Sequence, residues 1–220
     1  MIPSPLARGT RVNIESIILK EKRRGDCYKL LAACFYLPRK MLYLEEGILK
    51  SLAALFGEVC PEAAPCLAQM EEAFLTYSEE ELSVEYARLF VGPFELKAPP
   101  YGSVYLDGGR RVMGNSTMEV IKLYEETGLV MDKDFKELPD HIAVELEFMY
   151  YLIYKEMEAL EKSEKEKALA LGETRNHFFN RFFSTWVPSF CKKMKESTSN
   201  LFYIALADCL STFITNQTRN

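Results

Sequence analysis

The sequence predicts an all-α fold, a single-domain helical bundle, with room for two helical subdomains hinged near residues 108–139. Three observations carry this prediction. Apolar residues recur at three and four positions, as in Leu30, Leu31, Cys34 and Phe35 or Leu52, Leu55, Phe56 and Val59. Two Ser-led capping boxes mark helix starts, and no run alternates apolar and polar residues as a half-buried strand would. At 220 residues the chain is also short enough for one core, because cores commonly split only beyond about 250 residues.

Taken in order, residues 1–12 hold Pro3, Pro5 and Gly9 with little periodicity and are expected to be a loose terminus, leaving 13–220 as the helical domain. Arg23 and Arg24 precede the apolar run 27–37 and superficially imitate an export leader. Asp26 and Lys29 interrupt that run, however, and no small-residue cleavage site follows, so the segment reads as the first core helix. Ser78-Glu79-Glu80-Glu81 is a capping box that opens a helix carrying Leu82, Tyr86 and Leu89 and stopping before Gly92-Pro93. Ser116-Thr117-Met118-Glu119 is a second box, whose helix Gly128 is placed to close.

Between them, residues 91–109 hold three prolines and four glycines together with Phe94, Tyr101 and Tyr105. A loop of that length either packs on its own domain through its aromatics or binds something, and composition does not separate the two. Leu138-Pro139-Asp140-His141 then opens the strongest helix, apolar nearly all round, which belongs at the centre of a bundle. Phe178, Phe179, Phe182, Phe183 and Trp186 read as core, and 201–214 as a last amphipathic helix after the Ser197-Thr198-Ser199-Asn200 start.

Charge and motifs exclude several functions. With 27 basic and 32 acidic side chains the net charge is -5, which disfavours nucleic acid and anionic lipid and leaves at most transient membrane contact. No phosphate loop, dinucleotide turn or nucleophile elbow appears. The six cysteines form no C-x-x-C pair and read as structural thiols, reduced as in a cytoplasmic protein. The most polarised spot is the helix start at Asp140 and His141, with Glu145 and Glu147 following on the same helix. A helix N-terminus favours ionised Asp140 and a neutral His141, a combination suited to a basic peptide. Asp140 is also a candidate cap with no other role, and a metal-dependent hydrolase built on Asp140, His141 and Glu145 is a competing reading. One histidine is too few for an ordinary zinc or di-iron site, so neither metal nor catalytic residues are assigned.

Three stretches together resemble the TorD/DmsD family of redox-enzyme maturation chaperones: YKLLAACFYLP at 28–38, EYARLFVGPFELKAPPYGSVYLD at 85–107 and LPDHIAVELEFM at 138–149. WVPSF at 186–190 is similar as well, so the resemblance covers nearly the whole chain. It implies an all-helical cytoplasmic chaperone without catalytic activity. Such a chaperone binds the twin-arginine leader of the catalytic subunit of a molybdopterin-dependent oxidoreductase and assists its cofactor loading and assembly before export. It further implies that leader recognition falls on Tyr86, Leu89, Phe90, Phe94, Pro100, Tyr101, Tyr105 and Asp107 with Pro139, Asp140 and His141. Several family members carry Trp where this chain has Tyr86, Phe94, Tyr101 and Tyr105. The resemblance requires no cofactor, although guanine nucleotide binding is associated with some members, and it allows a monomer or homodimer.

The physical reading adds Glu145 and Glu147, because a leader with two arginines and an apolar run needs carboxylates beside an aromatic groove. On this view Asp140→Asn is expected to weaken binding with little change in stability. A purely structural assembly factor, in which loop and helix start merely pack together, is the remaining alternative.

Overall fold

The computed structural model describes residues 5–92, 96–108, 112–130 and 137–218, with side chains from residue 14 onward. Among them the secondary structure is helical, apart from one isolated bridge between Tyr101 and His141. The elements are α1 (Pro5–Ala33), α2 (Lys40–Glu45), α3 (Ile48–Val59), α4 (Ala64–Thr76), α5 (Glu79–Tyr86), α6 (Gly102–Leu106), α7 (Asn115–Glu126), α8 (Ile142–Glu161), α9 (Lys165–Phe178), α10 (Ser184–Ser197) and α11 (Leu201–Gln217).

The central pattern at 142–161 becomes α8, which packs between α1 and α9, while α11 packs between α4 and α10 and α1 also meets α3. Aromatic rings join these layers. Tyr28 of α1 meets Phe213 of α11 at 4.8 Å, Phe56 of α3 meets the same ring at 5.5 Å, and Phe35 meets Phe190 of α10 at 5.8 Å. Phe178, Phe182, Phe183 and Trp186 are fully buried, as their spacing predicts. Burying a large aromatic of this kind stabilises the fold by about 1.5–3 kcal/mol.

Several boundaries differ in instructive ways. The helical backbone of α1 begins at Pro5, ahead of the Asn13 at which apolar periodicity starts, and it ends at Ala33. Cys34 and Phe35 continue the apolar stripe from within the following turn, both buried. The imitation leader is part of α1, where Arg23 pairs with Glu58 and Arg24 with Glu21. The Ser78 box forms with both its bonds, and Gly128 adopts φ +83 after α7. The Ser116 box does not form. Helix α7 starts two residues earlier, with Gly114 as its N-cap and no side-chain cap of its own, and the Asp107 carboxylate instead accepts from the Ser116 N–H and Oγ–H. A helix start satisfied from outside looks in sequence like one that caps itself.

The six thiols are free, five of them buried. Burial raises Cys27 and Cys34 to about 12 and Cys60 to about 11, which keeps them protonated and unreactive.

Candidate functional site

The loop and the start of α8 come together. Ile142 N–H donates to Pro100 O at 2.8 Å and Gly102 N–H donates to Asp140 O at 2.9 Å, so Tyr101 bridges antiparallel to His141. The segment is less irregular than a loop, since it opens with a π-turn at Ala87–Val91 and contains the short α6. Phe94 and Gly109 lie outside the described residues.

Asp140 is 1% exposed and points away from solvent, towards the loop. Its Oδ2 accepts from Ser103 N–H at 2.8 Å and Thr117 Oγ1–H at 3.1 Å, so it caps α6 rather than its own helix. The cap of α8 is His141, whose Nδ1 accepts from Ala143 N–H at 3.2 Å. An accepting Nδ1 requires the neutral ring, and burial holds His141 down to about 4. Glu145 is 0% exposed and accepts from Trp186 Nε1–H at 2.8 Å. Neither Asp140 nor Glu145 therefore presents a carboxylate to solvent, and the pairing of Asp140, His141 and Glu145 does not favour a hydrolytic site.

The other proposed residues divide in the same way. Leu89 and Phe90 are core, Tyr86 is buried with its hydroxyl on Phe35 O, and Pro100 is buried. Tyr105 is half-buried, stacking on Trp186 at 5.6 Å and donating to Pro99 O. Asp107 is exposed but engaged at the start of α7, and Pro139 is half-buried, its carbonyl accepting from the Tyr124 hydroxyl. Tyr101 remains half-exposed, its ring 5.5 Å from that of His141.

Glu147 is exposed, and its Oε1 accepts from the Tyr36 hydroxyl at 3.0 Å. Two residues that the sequence reading passes over join it here, Tyr36 and Glu137. Glu137 is half-buried, 3.9 Å from His141 Nε2. Desolvation by the surrounding packing raises both Glu137 and Glu147 above the ordinary carboxylate range. Both also act on Tyr36, whose phenol is pushed up first by burial and then by Glu147 and Glu137. Among the described residues neither carboxylate has a Lys or Arg partner. Glu137 lies one residue outside the LPDH motif and Tyr36 a hundred residues away, so only the positions flanking that motif could have drawn attention to the first.

Among the described residues no three His, Cys, Asp or Glu side chains gather as metal ligands, and no helix is long and apolar enough to cross a membrane.

Residues 53–192 match the family model for the nitrate reductase delta subunit. The chain is 32% identical over 133 residues to the chaperone protein TorD of Photobacterium profundum, covering 60% of each chain. It is also 32% identical over 146 residues to the Tat proofreading chaperone DmsD of Salmonella typhi, covering 66% of this chain and 65% of the relative. The alignments thus span somewhat under two thirds of those relatives. A solved protein from Archaeoglobus fulgidus assigned to redox enzyme maturation shares the fold, with a TM-score of 0.51 at 23% identity over 88% of this chain and 93% of that one. With the matched model covering more than half of the chain, the chain belongs to the nitrate reductase delta subunit family and is similar to the TorD and DmsD proteins.

Proposed function

We propose that this protein is a cytoplasmic, non-enzymatic chaperone that binds the twin-arginine leader of a molybdenum oxidoreductase subunit and assists its assembly before export. The observation that carries this reading is the open pair of carboxylates, Glu137 and Glu147, held beside Tyr36 and Tyr101 without a cationic partner among the described residues. Two partly desolvated carboxylates next to flat amphipathic rings suit a guanidinium, which donates in a planar fork and stacks on aromatic faces. Each charge-assisted hydrogen bond made there contributes about 1.5–3 kcal/mol, offset by ordering of the flexible leader.

The two relatives' names accord with this function: one is called a chaperone and the other a Tat proofreading chaperone. The buried residues Asp140, His141 and Glu145 then act as the frame that holds Tyr101 and Glu137 in place, and binding requires no cofactor. Calorimetric titration with a twin-arginine leader peptide tests the reading, compared with the same peptide carrying two lysines. The arginine peptide is expected to bind and the lysine peptide to bind at least about tenfold more weakly, since lysine lacks the fork. Equal affinity, or no binding of either, would reject the site.

A further inference from the structure

Among the described residues, five buried side-chain polar atoms lack a hydrogen-bond partner, and three of them lie beneath the aromatic loop: Ser103 Oγ, Asp140 Oδ1 and Glu145 Oε1. All three side chains are at most 1% exposed. They surround the same stretch of backbone. Ser103 N–H donates to Asp140 Oδ2, and a Cβ placed on Gly102 would lie 3.2 Å from Glu145 Oε1 and 3.1 Å from Trp186 Nε1. The other two orphan atoms, Arg24 Nε and Glu156 Oε2, belong to a separate ion cluster of Glu21, Arg24, Glu156 and Arg175.

Counting hydrogens decides what the loop cluster needs. No hydrogen bond joins these three atoms to one another, so with both acids ionised two neighbouring charges lie buried, each with one oxygen lacking a donor, which is costly. One proton on Glu145 removes one of the two buried like charges and turns its orphan carboxyl oxygen into a donor. Two donors already point at Asp140 Oδ2, the pattern of a carboxylate, so the proton belongs on Glu145. The other groups near Glu145 are Trp186 from α10, which donates to Oε2, and Tyr124 from α7, a phenol kept neutral by burial.

We propose that Glu145 is a neutral carboxylic acid whose proton links Glu145 Oε1 through Ser103 Oγ to Asp140 Oδ1 across trapped water, and that it is thereby a positioning residue for the loop bearing Tyr101 and Tyr105. Burial, the largest influence on Glu145, favours the neutral form, and the Asp140 charge acts in the same direction against the Trp186 hydrogen bond. Glu145 then ties three elements together. Through Ser103 it holds α6, through Asp140 the start of α8, and through Trp186 the ring on which Tyr105 stacks. The role in leader recognition rests on the proposed function; the proton does not.

The test is infrared difference spectroscopy of the whole protein at pH 7, wild type against Glu145→Gln. A protonated-carboxyl carbonyl band is expected in the wild type, absent from Glu145→Gln and shifted in Ser103→Ala, which breaks the link without touching the acid. Leader affinity should stay within about twofold in Glu145→Gln, which keeps a neutral donor, and fall about tenfold in Glu145→Ala. The emission of Trp186, the only tryptophan, confirms in each variant that the site is folded. Absence of the band at pH 7, or a loss of affinity in Glu145→Gln equal to that in Glu145→Ala, would overturn the proposal. A wild type that shows the band but binds no leader would retain the proton while removing both the peptide reading and the positioning role.

Discussion

Tyr101 pairs with His141 across a single antiparallel bridge with their rings 5.5 Å apart, which fixes the aromatic loop to the N-cap of the central helix. That one contact turns two distant sequence motifs into a common surface. It also consumes the polar residues that looked free in sequence, because the helix start needs them to hold the loop.

The first expected outcome concerns Asp140. Its Oδ2 accepts two hydrogen bonds in a buried setting, so Asp140→Asn removes the charge-assisted acceptor and should cost about 1–3 kcal/mol of stability. This revises the expectation of a silent change in stability, since the side chain caps α6 from outside and does not face solvent. Chemical denaturation with urea measures it, and an unchanged midpoint would contradict the structure.

Glu147→Gln and Glu137→Gln should do the reverse. Both residues reach the surface, so stability should move by less than about 0.5 kcal/mol. Leader affinity should fall about tenfold for the pair together, and the loss should shrink as salt rises. Tyr101→Ala should also weaken binding but with little salt dependence, because it removes apolar contact. Titrations at low and high ionic strength separate the two behaviours.

Gly102 sits where an added Cβ would meet Trp186 Nε1 at 3.1 Å and Glu145 Oε1 at 3.2 Å. Both neighbours are buried, so Gly102→Ala forces the loop away from α8 at a cost of about 1–3 kcal/mol. A lowered thermal midpoint with perturbed Trp186 emission is expected; an unchanged midpoint would mean that the loop yields freely.

Stability should fall in acid through His141. Its folded value, about 4, lies below the unfolded value of about 6.5, so the unfolded chain binds the extra proton between them. The contribution is present above about pH 6.5 and is lost as pH falls towards 4, amounting to about 3 kcal/mol at most. His141→Asn keeps a good N-cap and should flatten this part of the profile of thermal midpoint against pH.

Glu145 has the opposite sign. Its raised folded value means that the folded chain holds a proton which the unfolded chain releases above about pH 4.5, so stability falls as pH rises from there. Glu145→Gln should therefore gain on the wild type as pH increases, and the two should converge in acid. Parallel melts across pH would reveal a constant difference if Glu145 were ionised in the fold.

The sequence by itself determined the core helices, because apolar spacing, the Ser78 box and Gly128 act within a few residues of chain, whereas α6 and the start of α7 depend on contacts from elsewhere. It determined the central place of 142–161 for the same reason: a helix apolar nearly all round has no face to give to water. The pairing of the 91–109 loop with the 138–149 start was legible only through the resemblance, since no local rule joins residues forty positions apart. Tertiary structure alone decided which carboxylates meet solvent. Asp140, Glu145 and Glu147 lie within eight residues of one helix start, yet Trp186, Ser103 and Thr117 from three other segments enclose the first two and leave the third beside Tyr36. Burial of a polar group is set by what packs against it, and those neighbours come from elsewhere in the chain.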